Sequence, residues 1–183
     1  MRKYRLILAV LGLVALVVSG CFVATGQVLV EFGLTSPFTI DSTTDPFARI
    51  FVDLNTIPDY SKHKDSLKGL NDFALIGKFT NLSGPAGALE MWVTPGSTNY
   101  TTVAEVQANA TKLWGPGTIG AAPDVHVVTW DESSKLFTQA GKDILIHEAK
   151  GDGDFTIYAF GTAGSYRVKV EDGFLILVVS AGP

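Results

Sequence analysis

Along most of the chain, apolar and polar residues alternate with the period of a β-strand. Strands are predicted where alternate positions are apolar or where β-branched and aromatic residues cluster, in segments 27–32, 49–54, 73–80, 89–93, 125–130, 155–160 and 166–171. In the second of these segments, Ile50, Val52 and Leu54 share one face. One face of such a strand is expected to lie in a core and the other in solvent.

The segment 174–179 differs because it is apolar throughout. A strand with two apolar faces is expected at the centre of a sheet, buried on both sides. Asp172 and Gly173 separate it from the preceding strand, and this pair is typical of a tight turn that needs positive φ angles. The pattern therefore predicts a β-hairpin that turns at residues 172–173.

Two helical segments interrupt the strands. Thr102 and Glu105 have the spacing of a capping box, which predicts a helix beginning there. Its apolar face would comprise Val103, Val106, Ala110 and Leu113. The dipeptide Gly115-Pro116 is expected to end this helix. Residues 60–70 predict a further turn or two of helix.

The second helical segment is Glu132–Lys150, with Asp131 as its N-cap and Gly151 just past its C-terminus. Gly141 is expected to divide this segment into two helices. Asp143 would then cap the second helix.

Strands dominate the pattern and follow one another in hairpin-like succession, which predicts a mainly β fold. We expect a β-sandwich, immunoglobulin-like or jelly-roll-like, with short helical insertions. A closed β-barrel is the alternative. No linker-like composition or internal repeat divides residues 27–183. This segment can bury about 70% of its extended-chain surface, so we expect a single domain.

The N-terminus carries a different pattern, in which three basic residues among the first five precede the uncharged apolar run Leu6–Val18. A basic start, a short apolar run and small residues after it are typical of a secretory signal peptide. A membrane-spanning helix is the alternative. It needs about 20 apolar residues, and Ser19, Gly20 and Thr25 weaken the second half of such a span.

The sequence Val18-Ser19-Gly20-Cys21 resembles the lipobox of bacterial lipoproteins, with valine where leucine is usual. The resemblance implies that signal peptidase II cleaves between Gly20 and Cys21, so that residues 1–20 are the signal peptide. It also implies that the thiol receives diacylglycerol and that the new amine is acylated with a fatty acid such as palmitate. Two or three acyl chains would anchor the protein stably in a membrane, whereas one would not.

Residues 21–26 would form a lipidated tether to the body of the protein. The five residues between Cys21 and the first predicted strand, 22–26, span at most about 17 Å, so the body is expected to lie close to the membrane. Phe22 stands where an aspartate would favour the inner membrane. The resemblance therefore implies an exported protein, lipid-anchored to the bacterial cell envelope, at the outer membrane if the host has one.

Two further segments, 52–81 and 129–161, are similar to parts of uncharacterised bacterial lipoproteins that have β-sandwich bodies. The similarity lies in Asp53-Leu54-Asn55, in residues 60–65, in Thr129-Trp130 and in residues 154–158. It supports the fold and implies no activity.

The charge balance excludes one class of partner. The chain has 14 basic and 18 acidic side chains and a net charge of −4, so it lacks the basic footprint of a nucleic-acid-binding protein. Removing the signal peptide removes three basic residues and no acidic ones, which leaves 11 against 18, or −7. The lipid, rather than the charge of the body, must then hold the protein at an anionic membrane.

Candidate catalytic residues are few. His63, His126 and His147 lack the spacing of a metal or hydrolase motif, and no serine lies in a G-x-S-x-G elbow. Cys21 is assigned to the lipid. We therefore expect no catalytic residue, no metal site and no cofactor, and we expect that the protein is not an enzyme.

Several carboxylates have more than one possible role in the sequence. Asp131, Glu132 and Glu148 could pair as in a glycosidase, although the first two are better explained as acids that oppose a helix dipole. Asp152 and Asp154, in a Gly-Asp-Gly-Asp sequence, could hold calcium, although a helix-to-strand turn explains the same residues. The sequence does not fix the distance between any of these carboxylates.

Trp92 is the candidate binding surface. It shares its strand face with Glu90, and the opposite, apolar face comprises Leu89, Met91 and Val93. An exposed tryptophan there would offer a platform for a sugar ring or a partner protein.

Three functions are compatible with these patterns. The expected one is a non-catalytic, membrane-anchored binding or envelope-structural module, which should expose an aromatic or edge-strand patch to a protein or saccharide partner. An accessory subunit of a secretion or transport assembly should carry an apolar patch away from Cys21. A tethered hydrolase should bring carboxylates, or histidines and an acid, within hydrogen-bonding range in a cleft.

Overall fold

The structure, a computed structural model, describes residues 26–34, 37–162 and 164–181. Residues 1–25, which include the predicted signal peptide and Cys21, lie outside the described residues. The described strands are β1 (Gln27–Gly33), β2 (Phe38–Asp41), β3 (Ala48–Asp53), β4 (Leu67–Ser83), β5 (Gly87–Pro95), β6 (Thr111–Ile119), β7 (Asp124–Val128), β8 (Asp154–Gly161) and β9 (Arg167–Ala181). The helices are α1 (Pro58–His63), α2 (Val103–Asn109), α3 (Trp130–Leu136) and α4 (Gln139–Lys150), with short 3₁₀ turns at Leu54–Thr56 and Lys64–Ser66.

The described strands form two separate antiparallel sheets. Sheet A has the order β1-β9-β4-β7, with β2 also paired to β9, and sheet B has the order β3-β8-β5-β6. The inner faces of both sheets contribute to one hydrophobic core. The predicted mainly β sandwich with short helical insertions is therefore confirmed, rather than the closed barrel.

Most strand pairs join segments that are far apart in the sequence. The first strand, β1, pairs with the last, β9, and β4 pairs with both β7 and β9. Among the described strands, only β5 and β6 are both consecutive and paired. The expected hairpin-like succession is therefore wrong. Alternation of apolar residues shows that a segment is a strand, but it carries no information about the strand's partner.

The predicted hairpin at residues 172–173 is also wrong, because β9 runs through it without turning. Asp172 has a φ of 51°, so the positive φ expected from the sequence is present. Opposite it in β4, the register shifts between Ile76 and Lys78, as at a β-bulge. The local conformation was predicted, but pairing with β4 on both sides of the bulge keeps the strand continuous. As predicted, 174–179 lies in a central strand, although Phe174 is exposed.

The helix predicted from Thr102 is shorter than expected. Thr102 and Glu105 form the capping box, which is confirmed, but α2 ends at Asn109. Leu113 belongs to β6, and the dipeptide Gly115-Pro116 lies inside that strand instead of ending a helix. Pairing of β6 with β5 buries Leu113 in the sandwich core, which overrides the helical spacing of the sequence.

The long helical segment divides as predicted, but at another place. The break falls between α3 and α4, at residues 137–138, and the N-caps are Thr129 and Thr138 rather than aspartates. Gly141 lies inside α4, where a Cβ atom would come within 2.6 Å of the Leu113 Cα. This glycine allows the helix to approach β6 closely. Gly151 caps the C-terminus of α4, as predicted.

Aromatic side chains join the two layers of the sandwich. The rings of Phe79 in β4 and Trp114 in β6 lie 6.4 Å apart between centroids, and Trp114 is buried. The Trp114 indole donates hydrogen bonds to the carbonyl and the hydroxyl of Ser133 in α3. The same hydroxyl accepts a hydrogen bond from the Leu75 amide in β4. The buried Ser133 therefore fixes α3 to both sheets.

The outer faces of the two sheets differ in what covers them. Outside sheet B, Val106 of α2 packs with Tyr158 and Phe160 in a second hydrophobic cluster, so β8 is buried on both faces. The outer face of sheet A keeps several apolar side chains exposed, among them Val125, Val127 and Phe174. This uncovered face leads to the candidate site.

Candidate functional site

An apolar groove lies on the outer face of sheet A, beside β7. Its volume is about 540 Å³. The residues that line it are Ile76, Gly77, Lys78, Val127, Val128, Thr129, Trp130, Asp172 and Phe174. We call this surface the sheet A groove. It spans the bulge of β9, β4 and the end of β7.

The register of the strands explains why the sheet A groove is apolar. Val127 pairs with Lys78 in β4, on the face opposite to the buried Phe79. Val125 and Val127 are therefore exposed, by 55% and 61%, although both are β-branched apolar residues. Phe174 pairs with Ile76 and closes the groove on the β9 side.

β7 is an edge strand in the part of the chain that the structure describes. It pairs with β4 on one side and with no described strand on the other. An edge strand presents unpaired backbone N–H and C=O groups that can pair with another segment. β7 therefore offers an unpaired edge beside the apolar groove, at a place that the sequence did not indicate.

The charged residues beside the sheet A groove pair with one another in part, and Asp172 adds a carboxylate to its lining. Glu171 forms ion pairs with Lys169 at 2.7 Å and with Lys78 at 3.2 Å. Hydrogen bonds from these two lysines lower the pKa of Glu171. Because the charges pair within the sheet, the apolar centre rather than the rim would contribute most of the free energy of binding.

The sheet A groove lies far from the start of the described chain. Gln27 pairs with Ser180, whereas Phe174 pairs with Gly33. Six residue steps separate Ser180 from Phe174, which corresponds to about 20 Å along β9. The groove is therefore displaced along the sheet from the point where the tether would begin.

Trp92, the predicted platform, is half-buried on the outer face of sheet B. Its ring stacks on Phe160 with 6.1 Å between centroids, and its indole donates a hydrogen bond to Glu90. Glu90 is 8% exposed and also forms an ion pair with Lys112. α2 and Tyr100 pack nearby and leave part of the Trp92 ring accessible. Its role as a platform stays a prediction.

The other two tryptophans lie where they pack with the fold. Trp114 is in the core, and Trp130 is half-buried at the start of α3, where its indole donates a 3.2 Å hydrogen bond to Asp72. Trp130 also forms one wall of the sheet A groove. The β-branched Val125 and Val127 before it are the residues from which this surface could have been inferred, but the sequence alone did not indicate it.

The three histidines lie in separate parts of the fold. His126 Nε2 lies 2.8 Å from a carboxylate oxygen of Glu132, and both side chains are about one-third exposed. His63 is half-buried at the end of α1. His147 lies on α4 beside Glu148 and shares a second pocket with Asp152.

That second pocket contains the remaining candidate acids, Glu148, Asp152 and Asp154. It has a volume of about 420 Å³ and lies where α4 ends and β8 begins. Asp131 is not in it, and is exposed on α3. Within the described residues, no three His, Cys, Asp or Glu side chains are placed to share a metal ion.

Cys21 and Gly20, the predicted lipidation and cleavage residues, lie outside the described residues. Within the described ranges, no helix has the length and apolar character needed to cross a membrane.

Comparisons with known proteins assign no family. No family model matches the chain, and no curated protein matches it. Among solved structures, the chain is similar to the dimeric latent PorU of Porphyromonas gingivalis, with 10% sequence identity and a TM-score of 0.31. The similarity covers 85% of this chain and 13% of that one, so the chain spans a small part of the PorU chain. A likeness this weak assigns no function.

Proposed function

We propose that the protein is a bacterial lipoprotein, anchored to the cell envelope by lipid on Cys21, whose β-sandwich body binds a partner protein through the sheet A groove. The signal-peptide pattern and the lipobox of residues 18–21 support the anchor. The exposed apolar groove supports the binding role, because exposing apolar surface to water costs free energy, and a bound partner would remove that cost.

The observation that carries the binding role is an apolar groove beside an edge strand. Val125 and Val127 project from β7 on the outer face, and the far edge of β7 pairs with no described strand. An extended segment of a partner fits both features. Its backbone would pair with the free edge of β7, and its alternate apolar side chains would contact Val125 and Val127 and cover the β7 side of the groove.

The position of the groove is compatible with the proposed anchor. The tether of residues 21–26 leads into β1, and the groove lies about 20 Å along the sheet from the start of that strand. A partner can therefore reach the groove while the tether holds the other end of the sheet near the membrane.

An accessory subunit of a secretion or transport assembly is the second candidate function. The same observation favours it, since an apolar patch away from Cys21 is what such a subunit requires. The two functions differ in the complex that they form. A subunit forms a stable complex of fixed stoichiometry, whereas a binding module forms a reversible one.

Site-specific photo-crosslinking in a bacterial host tests the binding role. A photo-reactive amino acid replaces Val127 in the full-length protein. We expect one discrete adduct with a partner protein, and mass spectrometry should map it to an extended segment with alternating apolar residues. Val125→Lys in the same protein should remove the adduct, because a charge would be buried in the contact.

A photo-reactive amino acid at Phe51 is the matched control. Phe51 is 48% exposed, but it lies on sheet B, away from the groove. No adduct is expected from this position. Equal adducts from both positions, no adduct from position 127, or an adduct that survives Val125→Lys would contradict the proposal.

A further inference from the structure

The two faces of β7 differ in chemical character. Val125 and Val127 are exposed on the outer face of sheet A. Asp124 and His126 point to the other face, because side chains alternate along a strand and His126 pairs with the buried Phe79. Both side chains are only partly buried. A segment paired with the free edge of β7 would therefore meet valines on one face and polar groups on the other.

The polar face of β7 continues into the first turn of α3, where it is acidic. His126 Nε2 lies 2.8 Å from Glu132 Oε1, and both side chains are about one-third exposed. Asp131 precedes Glu132 on α3 and is exposed. Residues 113–134, which contain all of β7 and the first turn of α3, include no lysine or arginine. These elements therefore supply carboxylates but no permanent positive charge to this face.

The nearest lysines do not pair with these carboxylates. Lys78 of β4 pairs with Val127 on the outer face of the sheet, and its ammonium group forms an ion pair with Glu171. Lys135 is exposed in the last turn of α3 and is not ion-paired with Glu132. The acidic character of the polar face is therefore open to a cation on an incoming segment.

An added strand would bring its side chains within reach of these acids. Neighbouring strands lie about 4.8 Å apart, and side chains directly opposite each other have Cβ atoms about 5 Å apart. A basic side chain opposite Asp124 or His126 would then lie close to the carboxylate of Asp124 or Glu132. Acidic side chains at the same positions would be disfavoured, because like charges directly opposite each other destabilise paired strands.

We propose that the β7 edge and the sheet A groove bind an extended segment in which apolar residues alternate with lysine or arginine. This inference rests on the proposed function, because it names the chemistry of the segment that the groove binds. The apolar residues contact Val125 and Val127 and contribute most of the free energy of binding. The basic residues face Asp124 and Glu132, and this charge complementarity supplies specificity and faster association.

Fluorescence anisotropy with three labelled, end-blocked peptides tests the proposal on the purified full-length protein, in neutral detergent at low ionic strength. Each peptide is short and has valine at alternate positions, with lysine, threonine or glutamate at the positions between. We expect the lysine peptide to bind about tenfold or more tightly than the glutamate peptide, with the threonine peptide between them. High salt should reduce this preference, because it screens exposed charges.

Two variants test whether the preference arises at β7. Glu132→Gln and Asp124→Asn each remove one carboxylate and keep the size of the side chain, so each should reduce the ratio of the two affinities by about threefold or more. Because this ratio compares two peptides on the same protein, a partial loss of folded protein does not change it. Asp143→Asn is the matched control, since it removes an exposed carboxylate from α4 and should leave the ratio unchanged.

Equal binding of the lysine and glutamate peptides, tighter binding of the glutamate peptide, or a preference that survives both variants would overturn this inference. In those cases, binding of the threonine peptide that Val125→Lys removes would show that the sheet A groove still binds an extended segment. Failure of all three peptides to bind would also overturn the inference. Crosslinking from position 127 then decides the proposed function separately.

Discussion

At the residue scale, the acidic side chains divide into those with partners and those without. Glu171 is paired with two lysines, and Glu105 accepts hydrogen bonds from Thr101 and from the Thr102 amide, so the pKa of each carboxyl lies below its ordinary value. Glu148 has a raised pKa because it is buried beside other carboxylates. Ionised Glu171 and Glu105 stabilise the fold, whereas ionised Glu148 destabilises it.

The raised pKa of Glu148 leads to a prediction about stability and pH. Near pH 4 the carboxyl is protonated in much of the folded and the unfolded chain, so it costs little. The ordinary pKa of this carboxyl is 4.5, and its pKa in the folded chain is higher. As the pH rises between these two pKa values, the unfolded state releases its proton first, so the free energy of unfolding falls. Glu148→Gln should remove this loss and leave the protein more stable than the unaltered chain at pH 7.

Urea denaturation of both proteins between pH 4 and pH 7 checks this prediction. The comparison uses the difference between the free energies of unfolding of the two proteins at each pH. This difference cancels the contributions of Asp41, Glu105 and Glu171, which have lowered pKa values and change stability with pH in the opposite direction. The charged groups that face Glu148, namely His147, Asp152 and Asp154, are unchanged in the variant. A difference that does not grow with pH would show that Glu148 is not desolvated.

At the scale of elements, some signals that act between neighbours in the sequence predicted the structure, although the caps expected at Asp131 and Asp143 are instead Thr129 and Thr138. The capping box of Thr102 and Glu105 forms as expected, and Gly151 ends α4. Signals that depend on a distant partner did not. Leu113 has helical spacing from α2 but lies in β6, and the 172–173 pair bends β9 without reversing it.

Replacing Gly141 by alanine brings two effects that change the free energy of unfolding in opposite directions, helix propensity and packing. Propensity alone would make Gly141→Ala stabilising by about 1 kcal/mol. The added Cβ atom would instead lie 2.6 Å from the Leu113 Cα and 2.9 Å from the Lys112 carbonyl oxygen, and these backbone atoms cannot move cheaply. We expect a loss of about 1–3 kcal/mol in the free energy of unfolding.

Chemical denaturation measures this effect, with Asp143→Ala on the same helix as the control. Asp143 is exposed and accepts a hydrogen bond only from Gln139 of the same helix among the described residues, so its replacement should change stability by no more than about 0.5 kcal/mol. An increase in stability for Gly141→Ala would mean that α4 does not lie against β6 as closely as described.

At the scale of the whole molecule, the proposed lipid would hold the β-sandwich at the membrane. The acidic body is not expected to adhere to an anionic membrane by its own charge, and no described helix can span one. The sheet A groove would then act at the distance from the membrane that the five residues between Cys21 and β1 permit.

Labelling with palmitate in a bacterial host tests this placement. The unaltered protein should incorporate the label and fractionate with membranes, whereas Cys21→Ser should remain unlabelled and lose membrane retention, because it has no thiol for the lipid. Ser19→Ala is the control, since it keeps a small residue before the cysteine and should be labelled normally. Equal labelling of the Cys21→Ser protein would refute lipid attachment at Cys21.

The two pockets of the described structure could be predicted only in part. The sequence indicated that Glu148, Asp152 and Asp154 are candidate functional acids. That they line one pocket depends on where α4 meets the turn after β5, and this contact joins distant segments of the chain. The sheet A groove was not predicted, because the sequence indicates that 125–130 is a strand but not that Val125 and Val127 lie on an uncovered face at the edge of a sheet.

The sequence by itself determined that the chain is mainly β, where most of the strands lie, that Thr102 and Gly151 cap helices, and which residues carry the lipobox pattern. These properties depend on residues that are close together in the chain, whose spacing the sequence records directly. The tertiary structure alone decided which strands pair, which face of sheet A stays uncovered, and that Glu148, Asp152 and Asp154 line one pocket. These properties depend on contacts between distant segments, and the burial that favours them exists only once the two sheets have packed together.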